Sequence, residues 1–201
     1  MSTTESPVDV ELLRSEIQRT YTDVSTDTGR DYVFRTGRAW AEELGYPRPE
    51  LDRVPEGSVA SFAGVANPFS LGRIEPGATV LDLGCGAGTD LLIAAQMTGP
   101  GGRVIGIDMT PSMLERARRG AEALGLDVEL HEGVIEALPL DAESVDVVIS
   151  NGVIDLVPDK DAVFAEIDRV LRPGGRVQLA DVVIHTEVSE DARKDIDLWT
   201  G

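Results

Sequence analysis

Residues 78–90 read ATVLDLGCGAGTD. A short β-branched and apolar run ends in a loop with glycine at 84, 86 and 88, and TDLLIAAQM follows from residue 89. That order predicts a buried strand, a sharp turn and a helix. Glycine lets the backbone turn tightly and lets a ligand come close where a Cβ would intrude, at the positive end of the helix that follows.

Four more short apolar runs follow: RVIGID (103–108), DVELHE (127–132), VDVVIS (145–150) and RVQLADVVI (176–184). Helical patterns separate them. Thr110 and Pro111 open one such helix and Gly125 closes it, and Leu171, Arg172, Pro173 and Gly174 mark the end of another. Strands alternating with helices argue for a parallel sheet with right-handed crossovers, so the expected fold is α/β: a doubly wound, Rossmann-like, mostly parallel sheet of five visible strands.

Upstream the pattern differs. Ser6, Pro7 and Asp9 look like a helix start, and Leu12, Leu13, Ile17 and Tyr21 give one apolar face, so a helix is expected over 7–22. A second helical patch spans 33–44, and then GYPRPELDRVPEG breaks the chain with three prolines and two glycines. No strand is expected before residue 73. The reading divides the chain into a helical cap or lid, 1–72, and a ligand-binding domain, 73–201, expected to form one compact unit.

Composition narrows the partners. The chain has 201 residues, 36 acidic and 18 basic side chains, and a formal net charge of −18. Nucleic acid and anionic membrane call for clustered basic residues, so neither is expected as a partner. One cysteine, Cys85, excludes an internal disulfide framework and a multi-cysteine zinc site. The N-terminus lacks the basic and apolar segments of a signal peptide, and no run approaches a membrane span, which together suggest a cytoplasmic protein.

The ligand follows from spacing. Asp108 ends the second strand run 20 residues beyond Gly88, where a carboxylate can accept hydrogen bonds from both hydroxyls of a ribose. With the glycine loop this points to an adenosine-containing ligand. Thr89 stands where nicotinamide and flavin enzymes favour a third glycine, and the G-x-G-x-G spacing disfavours that class.

The same spacing resembles class I S-adenosylmethionine-dependent methyltransferases. GRVIGIDMTPSMLERAR, EGVIEALPLDAESVDVVISNGVIDLVPDKDAVFAEIDRVLRPGGR and the upstream LGYPRPELDRVPEGSVASFAGVANP narrow the likeness to the arsenite methyltransferase family over roughly residues 44–201. The resemblance implies S-adenosylmethionine as cofactor. It implies that Asp108 and Met109 flank ribose and adenine, that Ile135 and Glu136 lie at the adenine edge, and that Asn151 faces the methionyl end. The expected cofactor-binding set is Asp82, Gly84, Cys85, Gly86, Asp108, Met109, Ile135, Glu136 and Asn151, with Asp82 ordering the loop. Each of the implied contacts after the loop falls at the carboxyl end of a strand run, where open α/β sheets bind ligands.

Two departures qualify the likeness. Arsenite methyltransferases hold trivalent arsenic through cysteine thiolates, one in a motif like S-N-C-V-x-N-L. Here the stretch reads SNGVIDL, with Gly152 for that cysteine and Asp155 for the usual Asn, and SFAGVANP lacks the cysteine expected before Asn67. Soft arsenic needs those sulfurs, so a small-molecule acceptor other than arsenite is expected. The family fold also has seven strands, with a closing β-hairpin beside the fifth, and no such hairpin is visible here. Either the N-terminal helices cover the fifth-strand edge, or another copy or a different chain does so as an oligomer. A catalytically silent cofactor-binding subunit is the competing reading to an enzyme.

No catalytic base is assigned from sequence, and no metal. His131 and His185 read as structural or surface residues, Asp155 and Asp181 as cleft-facing or capping acids. Tyr21 resembles the tyrosine that closes over the cofactor in related enzymes, and Trp199 packs locally or onto a partner.

Overall fold

The computed structural model describes residues 8–185, 188–189 and 195–200. Its strands are β1 (Thr79–Leu83), β2 (Arg103–Asp108), β3 (Glu129–Glu132), β4 (Val145–Asn151) and β5 (Leu171–Ala180). They form one parallel sheet in the order β3-β2-β1-β4-β5. The helices are α1 (Val10–Thr26), α2 (Gly37–Glu43), α3 (Arg48–Leu51), α4 (Glu56–Val59), α5 (Thr89–Thr98), α6 (Pro111–Leu124), α7 (Lys160–Val170) and α8 (Ile196–Thr200). The doubly wound α/β sheet anticipated from the apolar runs is present.

Alternating side chains of the strands feed two cores. Leu81, Leu83, Ile105, Ile107 and Val148 pack with Val163 and Ile167 of α7 on one face. Val80, Val104 and Ile149 pack with Leu91, Ala94 and Ala95 of α5 and Leu114 and Ala117 of α6 on the other. Helix α5 is apolar all round because it is covered twice. Its Leu92 and Ile93, with Ala121 of α6, meet a third cluster made by Ala41, Tyr46, Leu51, Val54, Val59 and Phe62. Residues 41–62 thus form an outer layer over α5 and α6.

The boundaries differ from the sequence reading where tertiary pairing decides them. The first helix starts after Asp9, whose carboxylate accepts from the Glu11 and Leu12 amides; Ser6 and Pro7 lie outside the described residues. Strand β3 begins at Glu129 because its ladder with β2 runs only from Ile105↔Glu129 to Asp108↔Glu132. Strand β5 starts earlier than expected: Leu171 pairs Val145, then Arg172–Gly175 loop out before Arg176 pairs Val147. It also ends earlier, at Ala180, because its neighbour β4 ends at Asn151. Val182, Val183 and Ile184 are accordingly exposed.

The turn from β1 into α5 depends on Gly88, which has φ +88° and faces α6 so closely that a Cβ would lie 3.0 Å from the Ala117 Cβ and 3.1 Å from its Cα. Gly88→Ala is expected to cost roughly 2–5 kcal/mol, combining left-handed strain and overpacking. The measurement is the urea midpoint at unchanged slope, and a loss below about 1 kcal/mol would show that the α5–α6 contact yields freely.

Candidate active site

The strand order reverses between β1 and β4, and a crevice opens there at the carboxyl ends of the strands. Five segments build its wall: the loop after β1, the end of β2, residues 133–136, the end of β4 and residues 61–64, with Leu13, Arg14, Ile17 and Tyr21 of α1 across the top. All nine residues expected from the sequence, Asp82, Gly84, Cys85, Gly86, Asp108, Met109, Ile135, Glu136 and Asn151, lie on this one wall.

The loop's glycines are required by geometry. Gly84 has φ +64° and a Cβ there would meet Val153 at 2.5 Å, whereas Gly86, at φ +51°, faces open space. Asp108 ties this loop to β2, accepting from the Gly86 amide at 2.8 Å and the Thr110 amide at 2.8 Å. Burial pushes its carboxyl up, and those two amides oppose the shift. Cys85 lies on the wall, but its side chain is buried in the core under β2, so close that a Cβ on Gly106 would lie 2.7 Å from its Sγ. Burial, with Asp108 and Asp82 nearby, pushes the thiol well up, so it is held as the neutral thiol.

Two further carboxylates sit beneath the loop. Asp82 is 3% exposed and its Oδ2 has no hydrogen-bond partner among the described residues. Asp90 is 7% exposed and accepts from the Tyr46 hydroxyl at 2.5 Å and the Asn151 amide at 3.0 Å. Burial raises both; Asp90 and Asp108 add to the rise of Asp82, and Asp90 reaches about 6. Two acids desolvated side by side without a cation form a site that favours a positively charged ligand group.

Asn151 joins these acids to the N-terminal segment. Its Oδ1 accepts from the Val65 and Ala66 amides at 2.7 and 3.2 Å, and its Nδ2 lies within 3.0 Å of the Tyr46 hydroxyl, the Ala66 carbonyl and Asp90. Gly64 makes the approach possible, since a Cβ there would fall 2.3 Å from Nδ2. Asn151 therefore lies on the wall while its amide serves the chain's own groups.

Helix α1 is fastened over the pocket. Arg14 pairs with Glu136 at 3.0 Å, Gln18 donates to the Met109 carbonyl at 2.5 Å, and the Ser25 and Ser112 hydroxyls meet at 2.8 Å. Tyr21 lines the pocket and its ring stacks on Phe34. Leu13 and Ile17 pack with Met109, Leu156 and Trp199, and Lys160 lies 5.5 Å over the Trp199 ring.

The remaining candidates fall off the wall. Asp181 accepts from the Ile154, Asp155 and Val182 amides, which accounts for it as a turn cap. Asp155 stands beside it, pushed up to about 7 by burial and by Asp181. His131 pairs with Glu129, and His185 is exposed. Sequence reasoning missed Asp90, Arg14, Gln18 and Tyr46. Asp90 sits in the first turn of α5 and reads there as an ordinary dipole-favoured acid; the other three act across more than 40 residues and leave no local pattern.

Because folding raises Asp90 from the ordinary carboxylate range to about 6, the folded state holds that proton more tightly than the unfolded state. Its contribution is present below pH 4 and is lost as pH climbs to about 6. Asp90→Asn is expected to gain on the order of 2–3 kcal/mol relative to the parent between about pH 4 and pH 7. Paired denaturation curves across that range check this, and a pH-independent difference would contradict it.

Comparison with known proteins agrees with this geometry. A family model described as a methyltransferase domain matches residues 74–200. The arsenite methyltransferase of Halobacterium salinarum is 45% identical over 182 residues, 89% of this chain and 46% of that protein. The arsenite methyltransferase of Rattus norvegicus is 37% identical over 166 residues, 77% of this chain and 44% of that one. The crystal structure of the arsenic(III) S-adenosylmethionine methyltransferase of Chlamydomonas reinhardtii superimposes with a TM-score of 0.60 at 34% identity, covering 79% of this chain and 53% of that structure. The chain spans about half the length of the relatives it matches. It belongs to the methyltransferase domain family, in the class I, S-adenosylmethionine-dependent group, and is similar to the arsenite methyltransferases.

Proposed function

We propose that this chain transfers the methyl group of S-adenosylmethionine to a small organic acceptor other than arsenite. The observation that carries the reading is the buried acid pair Asp82 and Asp90, with one carboxylate oxygen unpartnered, beside the glycine loop and Asp108. Such a pair suits the ammonium end of the cofactor, whose charge would relieve the cost of two desolvated acids.

The other residues fit the rest of that ligand. Asp108 accepts one amide on each oxygen, which leaves lone pairs for two ribose hydroxyls. Gly84 and Gly86 give the backbone close access, Met109 and Ile135 offer apolar faces to a planar base, and Glu136 stands at its edge, held by Arg14. Asn151 keeps the methionyl end in shape through residues 65–66. The bound cofactor supplies a methyl already activated on a sulfonium, so the protein's contribution is alignment and exclusion of water. Leu13, Ile17 and Tyr21 provide the cover.

The acceptor side argues against arsenic. Gly152 and the segment Ser61–Gly64 contribute no sulfur, and the Cys85 thiol is neutral and buried. Thiophilic arsenic needs several thiolates.

Calorimetry with S-adenosylhomocysteine is expected to give saturable binding that Asp108→Ala weakens by roughly 1–3 kcal/mol; unchanged affinity would remove the ribose assignment. With arsenite and S-adenosylmethionine, formation of S-adenosylhomocysteine is expected to stay at the acceptor-free rate, and arsenite-dependent turnover would overturn the choice of acceptor.

A further inference from the structure

In a chain with twice as many acids as bases, nearly every cation finds a partner. Sixteen lysines and arginines fall among the described residues, the 18 of the sequence less Arg193 and Lys194. Fourteen of these make an ion pair or a side-chain hydrogen bond: most bind carboxylates, while Arg116, Arg176 and Lys160 reach backbone carbonyls. Arg53 and Arg73 alone make neither among the described residues, and both line the same groove. They come from segments 20 residues apart in sequence, one following α3 and the other following the turn Pro68–Leu71.

That groove is separate from the pocket above the strands. Its walls are residues 45–53, residues 67–73 and helix α5, and its apolar surface comes from Phe69, Ile93 and Met97. Glu50 is the one acid among the lining residues, against the two arginines. The walls are also fixed in place. Asn67 donates to the Gly45 carbonyl at 3.2 Å and accepts from the Phe69 amide at 3.0 Å, and Gln96 on α5 reaches the Arg53 carbonyl. On the groove's inner side, Tyr46 and Phe69 meet edge to face.

We propose that this groove binds a small organic anion, with its phosphate or carboxylate between Arg53 and Arg73 and its apolar body on Phe69, Ile93 and Met97. Guanidinium groups bind planar and tetrahedral oxyanions with two parallel hydrogen bonds, which gives short-range attraction even where the overall field is negative. The surrounding net charge opposes anions at long range, so recognition rests on contact with both arginines together with burial of the apolar part. The site stands independently of the methyl-transfer reading.

The test titrates the purified chain with phenyl phosphate, benzoate, inorganic phosphate and benzyl alcohol by calorimetry at low ionic strength. Arg53→Gln and Arg73→Gln are examined alongside, with far-ultraviolet circular dichroism and the urea midpoint as the measures that each variant remains folded. Saturable binding of phenyl phosphate or benzoate is expected, weakened about tenfold or more by either substitution and by added salt. Which of the two binds tighter identifies the anion as phosphate or carboxylate. The proposal is overturned by absence of saturable binding of both, by affinity that neither substitution moves, or by equal affinity for inorganic phosphate or benzyl alcohol, which would remove one half of the recognition.

Discussion

One side chain holds the two halves of this molecule in register. The Asn151 amide, at the end of β4, meets the backbone of Val65 and Ala66, the Tyr46 hydroxyl and Asp90. The parallel sheet by itself leaves the crevice at its switch point open on one side. Asn151 brings residues 61–66 against that side, and Gly64 permits the approach because no Cβ stands in the way. The layer formed by residues 41–62 follows, packed on the outer faces of α5 and α6. Loss of this link would leave buried acceptors and donors on three segments without partners, which is costlier than any single exposed contact in the molecule.

The acidity of the chain has two distinct physical meanings. Most carboxylates are solvated or paired with arginines on the surface, where each contributes little. Asp82, Asp90 and Asp108 are different. They converge beneath one glycine loop, burial raises all three, and the Arg14 guanidinium, the cation on the pocket wall, is engaged with Glu136. A protein rarely desolvates three acids in one place for stability alone, since the arrangement costs free energy until a cation arrives. S-adenosylmethionine, the cofactor of this methyltransferase family, carries such a cation at its ammonium end. Among the described residues the pocket wall carries one sulfur nucleophile candidate, the buried Cys85 thiol, and this is the basis on which we propose an acceptor other than arsenite.

Much of the framework was legible because it is written in local pattern. The apolar runs located β1, β2 and β4 to within a residue, and Thr110, Pro111 and Gly125 marked both ends of α6. The glycine spacing and Asp108 located the pocket. Reading failed where a neighbour decides the outcome. The extent of β5 depends on where β4 stops, and only the turn at residues 154–155 decides for Asp181 between the cleft and the cap that its place in the sequence left open.

The sequence by itself determined the α/β class, the position of the glycine loop and the family, because periodicity, turn residues and motif spacing are properties of neighbouring positions. Only the tertiary structure decided that Asp90 joins Asp82, that Asn151 binds residues 65–66, that α1 closes the pocket through Arg14 and Gln18, and that Arg53 and Arg73 share a groove. Each of these is a meeting of residues distant in the chain. Their energies come from desolvation and hydrogen bonding, which exist only once the packed chain has excluded water.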